Sequence, residues 1–331
     1  MPQPAAVPAS PLIVKASEPN AIADAVAVLR SGRLVAMPTE TVYGLAADAA
    51  NAAAVGAIFL AKGRPRFNPL IVHVGSLASA RRIGVFGDEA EKLAAAFWPG
   101  PLTIVVERQP RAAIAELAVA GLPTVALRIP AHPVARALID AFGGPLVAPS
   151  ANRSGQISAT TAAHAAADLG DRVAMILDAG PASVGVESTI VGLDGGQPTL
   201  LRAGAIPRAA IETILGCKLA APIFSHTAPV APGMLTSHYA PEALIRVDAT
   251  SVAPGEALLA FGLPLPPGHE HAAAVINLSP AGDLAEAAAR FFSALRELDR
   301  KAAVVAVGPI PDEGLGEAIN DRLRRAAAPR K

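Results

Sequence analysis

The chain has 331 residues, 52% of them hydrophobic and 17% charged, which excludes a disordered polypeptide and suffices for one large domain or two ordinary ones. Lys+Arg and Asp+Glu both number 28, and zero net charge argues against a protein that coats nucleic acid, although a local basic cavity stays compatible with it. The single cysteine, Cys217, excludes an intrachain disulfide and a thiolate metal centre and fits a reducing compartment.

The first residues, MPQPAAVPASP, are Pro/Ala-rich and lack a basic region followed by an apolar core. Residues 1–15 therefore read as a flexible tail. No apolar run reaches membrane-spanning length, so the expectation is a soluble cytoplasmic protein without a membrane partner. Ile22, Val26 and Leu29 recur at helical spacing and Gly32 closes that helix. Residues 34–37 form a short apolar strand ended by Pro38. Val55, Ile58 and Phe59 mark a second helix, and 70–74 a strand. A helix over 90–97 leads to the rigid corner Trp98-Pro-Gly-Pro and a strand over 102–106. Strands over 124–129, 145–148, 173–177, 188–191 and 199–201 alternate with helices over 133–141 and 160–169. This mixture implies a layered α/β domain, and strands without polar alternation should be buried on both faces. From 217 to 241 the pattern fails among Pro222, Pro229, Pro232 and Gly233, as in a linker or covering loop. A smaller unit follows, with strands over 244–247, 258–261, 275–278 and 304–307 and helices over 284–298 and 315–327. Its alternation is Rossmann-like. The expected division is a tail (1–15), a main domain (16–216), a linker (217–241) and a small α/β domain (242–331).

Several stretches could carry chemistry. In Pro38-Thr39-Glu40-Thr41-Val42-Tyr43-Gly44-Leu45, polar groups follow a buried strand, at the edge where open α/β sheets bind ligands. A turn whose Thr hydroxyls bond the backbone would give the same pattern. In Lys62-Gly-Arg-Pro-Arg-Phe-Asn-Pro-Leu-Ile-Val-His73, cations gather around an apolar run. No acidic residue lies between Asp48 and Asp88, so Lys62, Arg64, Arg66, Arg81 and Arg82 have no partner nearby in sequence. Two readings stand open, a basic loop met by acids from elsewhere and a cradle for a phosphate-bearing ligand. Arg128 sits inside the apolar strand Thr124-Val-Ala-Leu-Arg-Ile, with no acid between Glu116 and Asp140. It must face a ligand or a distant acid, because an uncompensated buried charge costs roughly 3–5 kcal/mol. Ala148-Pro-Ser150-Ala-Asn152-Arg-Ser-Gly155, followed by Ser158 and Thr160, offers hydroxyls and amides before a helix, as an anion site or as helix caps. Gly185-Val-Glu187-Ser188-Thr189 and Leu201-Arg202-Ala-Gly204 add a hydroxyl and a guanidinium. His73, His132 and His238 lack metal-ligand spacing, and there is no Walker A loop, dinucleotide fingerprint or His-Glu-x-x-His.

Taken in order, PTETVYGL, KGRPRFNPLIVHV, WPGPLT, TVALRIPAHP, APSANRSG, GVESTI and LLRAG resemble the YrdC-type domain family. APGMLTSHYAP and the small unit after it resemble the two-domain L-threonylcarbamoyladenylate synthases, so the resemblance runs over about 16–327. It implies an open, twisted, mixed α/β sheet around a deep basic cavity, then a smaller Rossmann-like domain. The implied reaction joins L-threonine, bicarbonate or carbon dioxide, and ATP into threonylcarbamoyl-AMP and pyrophosphate. A downstream transferase then modifies the adenosine 3′ of the anticodon in tRNA. Carried over residue by residue, the resemblance implies threonine contacts for Thr39, His73, Arg128 and Ser188. It implies nucleotide contacts for Lys62, Arg64, Arg66, Asn68, Thr124, Ser150, Ser158 and Arg202, with Lys62, Arg66 and Arg128 as the catalytic set. The first Tyr usual in the family's linker is Thr236 here; Met234, His238 and Tyr239 are retained. Mg²⁺ is expected to arrive with ATP rather than in a protein metal site, and the linker is expected to act as a lid. The competing expectation is an RNA-binding module with a basic cavity, against which zero net charge and the scarcity of aromatics both weigh.

Overall fold

The computed structural model describes residues 11–194, 196–221 and 239–329. In the large domain the elements are β1 (Leu12–Lys15), α1 (Ala21–Arg30), β2 (Val35–Met37), β3 (Gly44–Asp48), α2 (Ala52–Lys62), β4 (Ile71–His73), α3 (Leu77–Arg81), α4 (Asp88–Phe97), β5 (Leu102–Glu107), β6 (Thr124–Arg128), α5 (Pro133–Phe142), β7 (Leu146–Val147), α6 (Ala162–Leu169), β8 (Met175–Asp178), β9 (Thr189–Gly192), β10 (Thr199–Arg202) and α7 (Arg208–Leu215). The small domain has β11 (Leu244–Arg246), β12 (Ala257–Ala260), β13 (Ala274–Asn277), α8 (Leu284–Asp299), β14 (Val304–Val307) and α9 (Leu315–Ala327). Among the described residues, no helix is long and apolar enough to cross a membrane.

The large sheet has ten strands in the order β1-β8-β2-β3-β7-β4-β6-β5-β9-β10, with parallel and antiparallel pairs mixed. Strands without polar alternation are indeed buried on both faces. Val35 and Met37 of β2 enter one core with Leu29 of α1 and Leu138 of α5, whereas Ala36 enters the opposite core with Ile58 and Phe59 of α2. The small sheet is wholly parallel, ordered β11-β14-β12-β13, with α8 and α9 supplying its core through Phe291, Phe292, Leu295 and Ile319.

One local device sets up the site. Asn51 caps α2, its Oδ1 accepting the amides of Ala53 and Ala54 at 3.0 and 3.1 Å. Gly63, at φ +61°, then stops the helix in the left-handed region and turns the chain back directly after Lys62. Lys62 and Arg64, which flank Gly63, are both buried.

Some expectations need correction. Leu12–Lys15, placed in a flexible tail, pairs in parallel with β8 as an edge strand. Leu12 and Ile13 are 58% and 48% exposed, so the burial pattern that identifies inner strands is missing there. β3 lies hidden behind the polar Thr39–Thr41 stretch, α3 is too short for a clear periodicity, and α7 buries only Ile211. Helix α6 starts at Ala162 and is capped by Thr161, whose Oγ1 accepts the amide of His164 at 3.1 Å, so Ser158 and Thr160 do not cap it. Arg81 makes a two-pronged surface pair with Glu91 at 2.8 and 2.7 Å and takes no part in a cradle. Met234, Thr236 and His238 lie outside the described residues.

The small domain packs directly on the large one. Val42, Ile157 and Val186 share a core with Tyr239, Phe291 and Phe292. Arg296 of α8 donates to Asp168 at 3.0 and 2.6 Å and to the carbonyls of Ser158 and Ile157. Thr160 and Ser293 share a hydroxyl hydrogen bond of 2.9 Å. At Gly185 a Cβ would stand 2.3 Å from the carbonyl oxygen of Ala288, so backbone meets backbone across the junction.

Candidate active site

A cleft open to solvent, with about 560 Å³ of empty space, lies between the centre of the large sheet and the small domain. Parallel strands β4 and β6 set His73 directly beside Arg128, and Ile71 lies two residues back on the same face. The loop after β2 brings Thr39 and Thr41, the segment after β7 brings Ser150, and the loop before β9 brings Glu187 and Ser188. Arg64, Arg202 and Tyr239 complete the wall. The cleft thus uses a sheet face as well as strand ends.

Arg128 has a partner that its sequence neighbourhood does not reveal. Its Nη2 donates to Glu40 Oε1 at 2.6 Å, its Nη1 to Thr41 Oγ1 at 3.0 Å and its Nε to the carbonyl of Gly100 at 3.2 Å. The distant acid is therefore present. A guanidinium has five N–H groups, and these bonds use three, so one N–H on each terminal nitrogen is left for a ligand. Glu40 acts as a buttress behind the fork. Burial alone would raise the Glu40 carboxyl, but the charge and hydrogen bond of Arg128 outweigh it and hold the pKa below the ordinary value.

Thr39 realises the turn reading while still bordering the cleft. Its Oγ1 donates to the carbonyl of Val42 at 2.6 Å and lies 2.9 Å from Thr41 Oγ1. Ser188 Oγ lies 2.8 Å from Thr103 Oγ1 and accepts from Arg202 Nη2 at 3.1 Å; Arg202 also donates twice to the Ser188 carbonyl, at 3.1 and 2.8 Å. Arg64 donates to the carbonyls of Asn68 and Pro69 at 3.2 and 2.8 Å. It has no carboxylate partner among the described residues, and burial together with nearby Arg202 lowers its pKa to about 10. Lys62 is buried, with Nζ held by the carbonyls of Ser150 and Asn152. Burial and the charge of Arg64 push its pKa well below the ordinary lysine value.

The other expected residues stand away from the cleft. Ser158 is behind Glu187, its Oγ 2.5 Å from Glu187 Oε1. Asn68 lies behind Arg64, with both side-chain polar atoms buried and unpartnered among the described residues. Arg66 is exposed. Thr124 pairs with Glu107 at the other end of β6, about 13 Å from Arg128 along an extended strand. Conversely, Thr103, Arg296 and Arg322 border or brace the site and were not singled out from sequence. Arg322 carries a legible signal, since it falls three residues after Ile319 on the apolar stripe of α9.

His73 is neutral over the physiological range, because burial first and Arg128 second lower its pKa to about 3. Its Nδ1 lies 3.2 Å from the Ile71 carbonyl, which places the proton there and leaves Nε2 as an acceptor. The unfolded chain takes up this proton near pH 6.5 and the folded chain does not, so His73 favours unfolding progressively as pH falls from about 6.5 toward 3. The expected slope from this group is about 1.4 kcal/mol per pH unit. Urea unfolding of parent and His73→Gln at pH 7, 6, 5 and 4 checks this. The two stability curves should converge toward low pH, and a constant gap would contradict the assignment.

Gly204 shows how tightly the site is drawn together. A Cβ there would lie 2.5 Å from backbone atoms of Glu187, Ser188 and Thr189. Gly204→Ala is expected to lose roughly 1–3 kcal/mol of stability by overpacking. Equilibrium unfolding in urea measures it, and parental stability would contradict so close an approach.

Comparison with known proteins adds three findings. A Sua5–YciO–YrdC family model, described as telomere recombination, matches residues 27–204, and one described as the threonylcarbamoyl-AMP synthase C-terminal domain matches 206–328. The chain is 39% identical over 329 residues to the threonylcarbamoyl-AMP synthase of Bacillus subtilis, with 93% of each chain covered, and 39% identical over 317 residues to that of Pyrococcus abyssi, with 90% and 92% covered. The crystal structure of P. abyssi Sua5 complexed with L-threonine superposes with a TM-score of 0.86 at 36% identity, covering 96% of this chain and 97% of that one.

Proposed function

Because this chain belongs to the Sua5–YciO–YrdC family, in the form that carries the threonylcarbamoyl-AMP synthase C-terminal domain, we infer that it is a threonylcarbamoyl-AMP synthase. It is a nucleotidyltransferase that uses L-threonine and ATP, releases pyrophosphate and serves tRNA modification. The observation that carries this reading is the convergence of Arg64, Arg128 and Arg202 on one cleft beside neutral His73. Such a site suits two anions held side by side, a carboxylate and a polyphosphate. The three arginines are only 8%, 4% and 7% exposed, which favours small anionic substrates over an RNA-binding module.

On this reading the residues divide between the two substrates. Arg128 grips the threonine carboxylate with its two remaining N–H groups, while Glu40, Thr41 and Gly100 hold the fork from behind. Thr39, Ser188 and His73 Nε2 meet the threonine hydroxyl and amine. Arg64, Arg202, Ser150 and Lys62 receive the nucleotide, Lys62 by turning from the Ser150 and Asn152 carbonyls. Arg66, Asn68, Thr124 and Ser158 would need larger rearrangement or act from outside the present wall. The amine of threonine attacks carbon dioxide, supplied as such or as bicarbonate, and loses a proton to form N-carboxythreonine. The new carboxylate attacks the α-phosphorus, and pyrophosphate leaves. The side chains position two anions and spread phosphate charge, and no protein nucleophile is needed.

Among the described residues, no group of three His, Cys, Asp or Glu side chains could hold a metal, and Glu40 and Glu187 are each engaged by arginine. The cleft does not fit a resident metal ion; Mg²⁺ enters as the ATP complex, held by the phosphates. The product is a mixed anhydride open to hydrolysis, so a transferase must accept it promptly for delivery to tRNA. Incubation with ATP, Mg²⁺, L-threonine and ¹³C-bicarbonate, followed by mass spectrometry, tests the chemistry. A threonyl adduct of AMP carrying one ¹³C is expected, and an adduct without the label would reject the carboxylation step.

A further inference from the structure

Arg322 of α9 is fully buried, at 0% exposure, yet it belongs to the small domain. Its Nε donates to Glu187 Oε2 at 3.1 Å, and its Nη1 donates to the carbonyl of Ala203 at 2.6 Å and to Asp321 at 2.9 Å. Its guanidinium carbon lies 5.4 Å from the centre of the Tyr239 ring. Glu187 immediately precedes Ser188, and Ala203 immediately follows Arg202. Arg202 in turn donates to both oxygens of Ser188. The second oxygen of Glu187 accepts from Ser158. One cation from the last helix therefore ties together two segments and a tyrosine that form one wall of the cleft.

Cohesion between the domains does not require Arg322. The junction already has an apolar core of Val42, Ile157, Val186, Phe291 and Phe292, and a second ion pair, Arg296 with Asp168, crosses it. An apolar side chain of similar size would join them without the desolvation of a buried guanidinium. Arg322 Nη2 is also buried and unpartnered among the described residues, a further cost without use in packing. An apolar side chain could not fix the direction of the Glu187 carboxylate or hold the Ala203 carbonyl. We propose that Arg322 is a positioning residue of the active site, which holds Ser188 and Arg202 in register through Glu187 and Ala203, so that the small domain forms part of the threonine-binding wall. This rests on the reading of the cleft given above.

The test compares full-length parent, Arg322→Lys, Arg322→Met and the double variant Glu187→Gln/Arg322→Met. Threonine-dependent pyrophosphate release gives kcat and both KM values, and thermal melting gives stability. Arg322→Met should raise KM for L-threonine at least tenfold, and Arg322→Lys should do so less. The double variant has no unpaired buried carboxylate, so its melting temperature should recover toward the parental value while KM for threonine stays high. A role in cohesion alone would lower the active fraction, hence kcat, and leave KM unchanged. Parental KM in Arg322→Met, or in the double variant if the single one does not fold, would overturn the proposal. A parent protein without threonine-dependent release would instead overturn the reading of the cleft, and the proposal with it.

Discussion

Arg128→Ala is expected to lower kcat/KM for L-threonine by about 30- to 5,000-fold, the equivalent of roughly 2–5 kcal/mol for the loss of one partner of a buried charge pair. Two effects combine in that range. The substrate carboxylate loses its fork, and Glu40, 7% exposed, is left charged and unpaired. The second effect also lowers stability, by roughly 3–5 kcal/mol. Glu40→Gln/Arg128→Met separates them, since it has no buried charge but still lacks the fork. Calorimetric titration of L-threonine into that double variant should show binding at least 30-fold weaker. Parental threonine affinity there would refute the carboxylate role of Arg128.

Lys62→Met should act on the other substrate. The side chain is nearly as long and as easily buried, but it cannot donate. Loss of a charged hydrogen bond to phosphate costs roughly 1.5–3 kcal/mol, or about 10- to 150-fold in KM for ATP, with little change in KM for threonine. In the structure Nζ bonds to two carbonyls on the segment that carries Ser150, so the loss of those bonds could also displace Ser150. Ser150→Ala, assayed beside Lys62→Met, measures that contribution. An unchanged dependence on ATP concentration in Lys62→Met would count against the assignment.

The inner strands were legible in sequence because burial on both faces leaves uninterrupted apolar runs, as in β2, β4 and β6. The long amphipathic helices α8 and α9 were legible for the corresponding reason at helical spacing. Edge strand β1 was not, because an edge exposes Leu12 and Ile13 and its composition then resembles a tail. At the site, the ordered motifs identified Arg64, His73, Arg128, Ser150, Ser188 and Arg202, all of which border the cleft. Their partners were hidden by sequence distance. Glu40 is 88 residues from Arg128, and Arg322 is 135 from Glu187. Local scarcity of acids around Arg128 therefore signalled a long-range pair as well as a ligand. The same scarcity misled for Arg81, whose partner Glu91 lies just past the acid-free stretch. Thr124 shows a further limit. A motif residue four positions from Arg128 shares its face of the strand but lies about 13 Å further along it, beyond the cleft.

Pyrophosphate released from ATP, Mg²⁺ and bicarbonate, with and without L-threonine, tests the central claim most directly. The two-anion cleft predicts release that depends on threonine, saturates with it and is lost in the Glu40→Gln/Arg128→Met variant. Release at the same rate without threonine, or none despite bound ATP, would contradict threonine as the substrate held by Arg128.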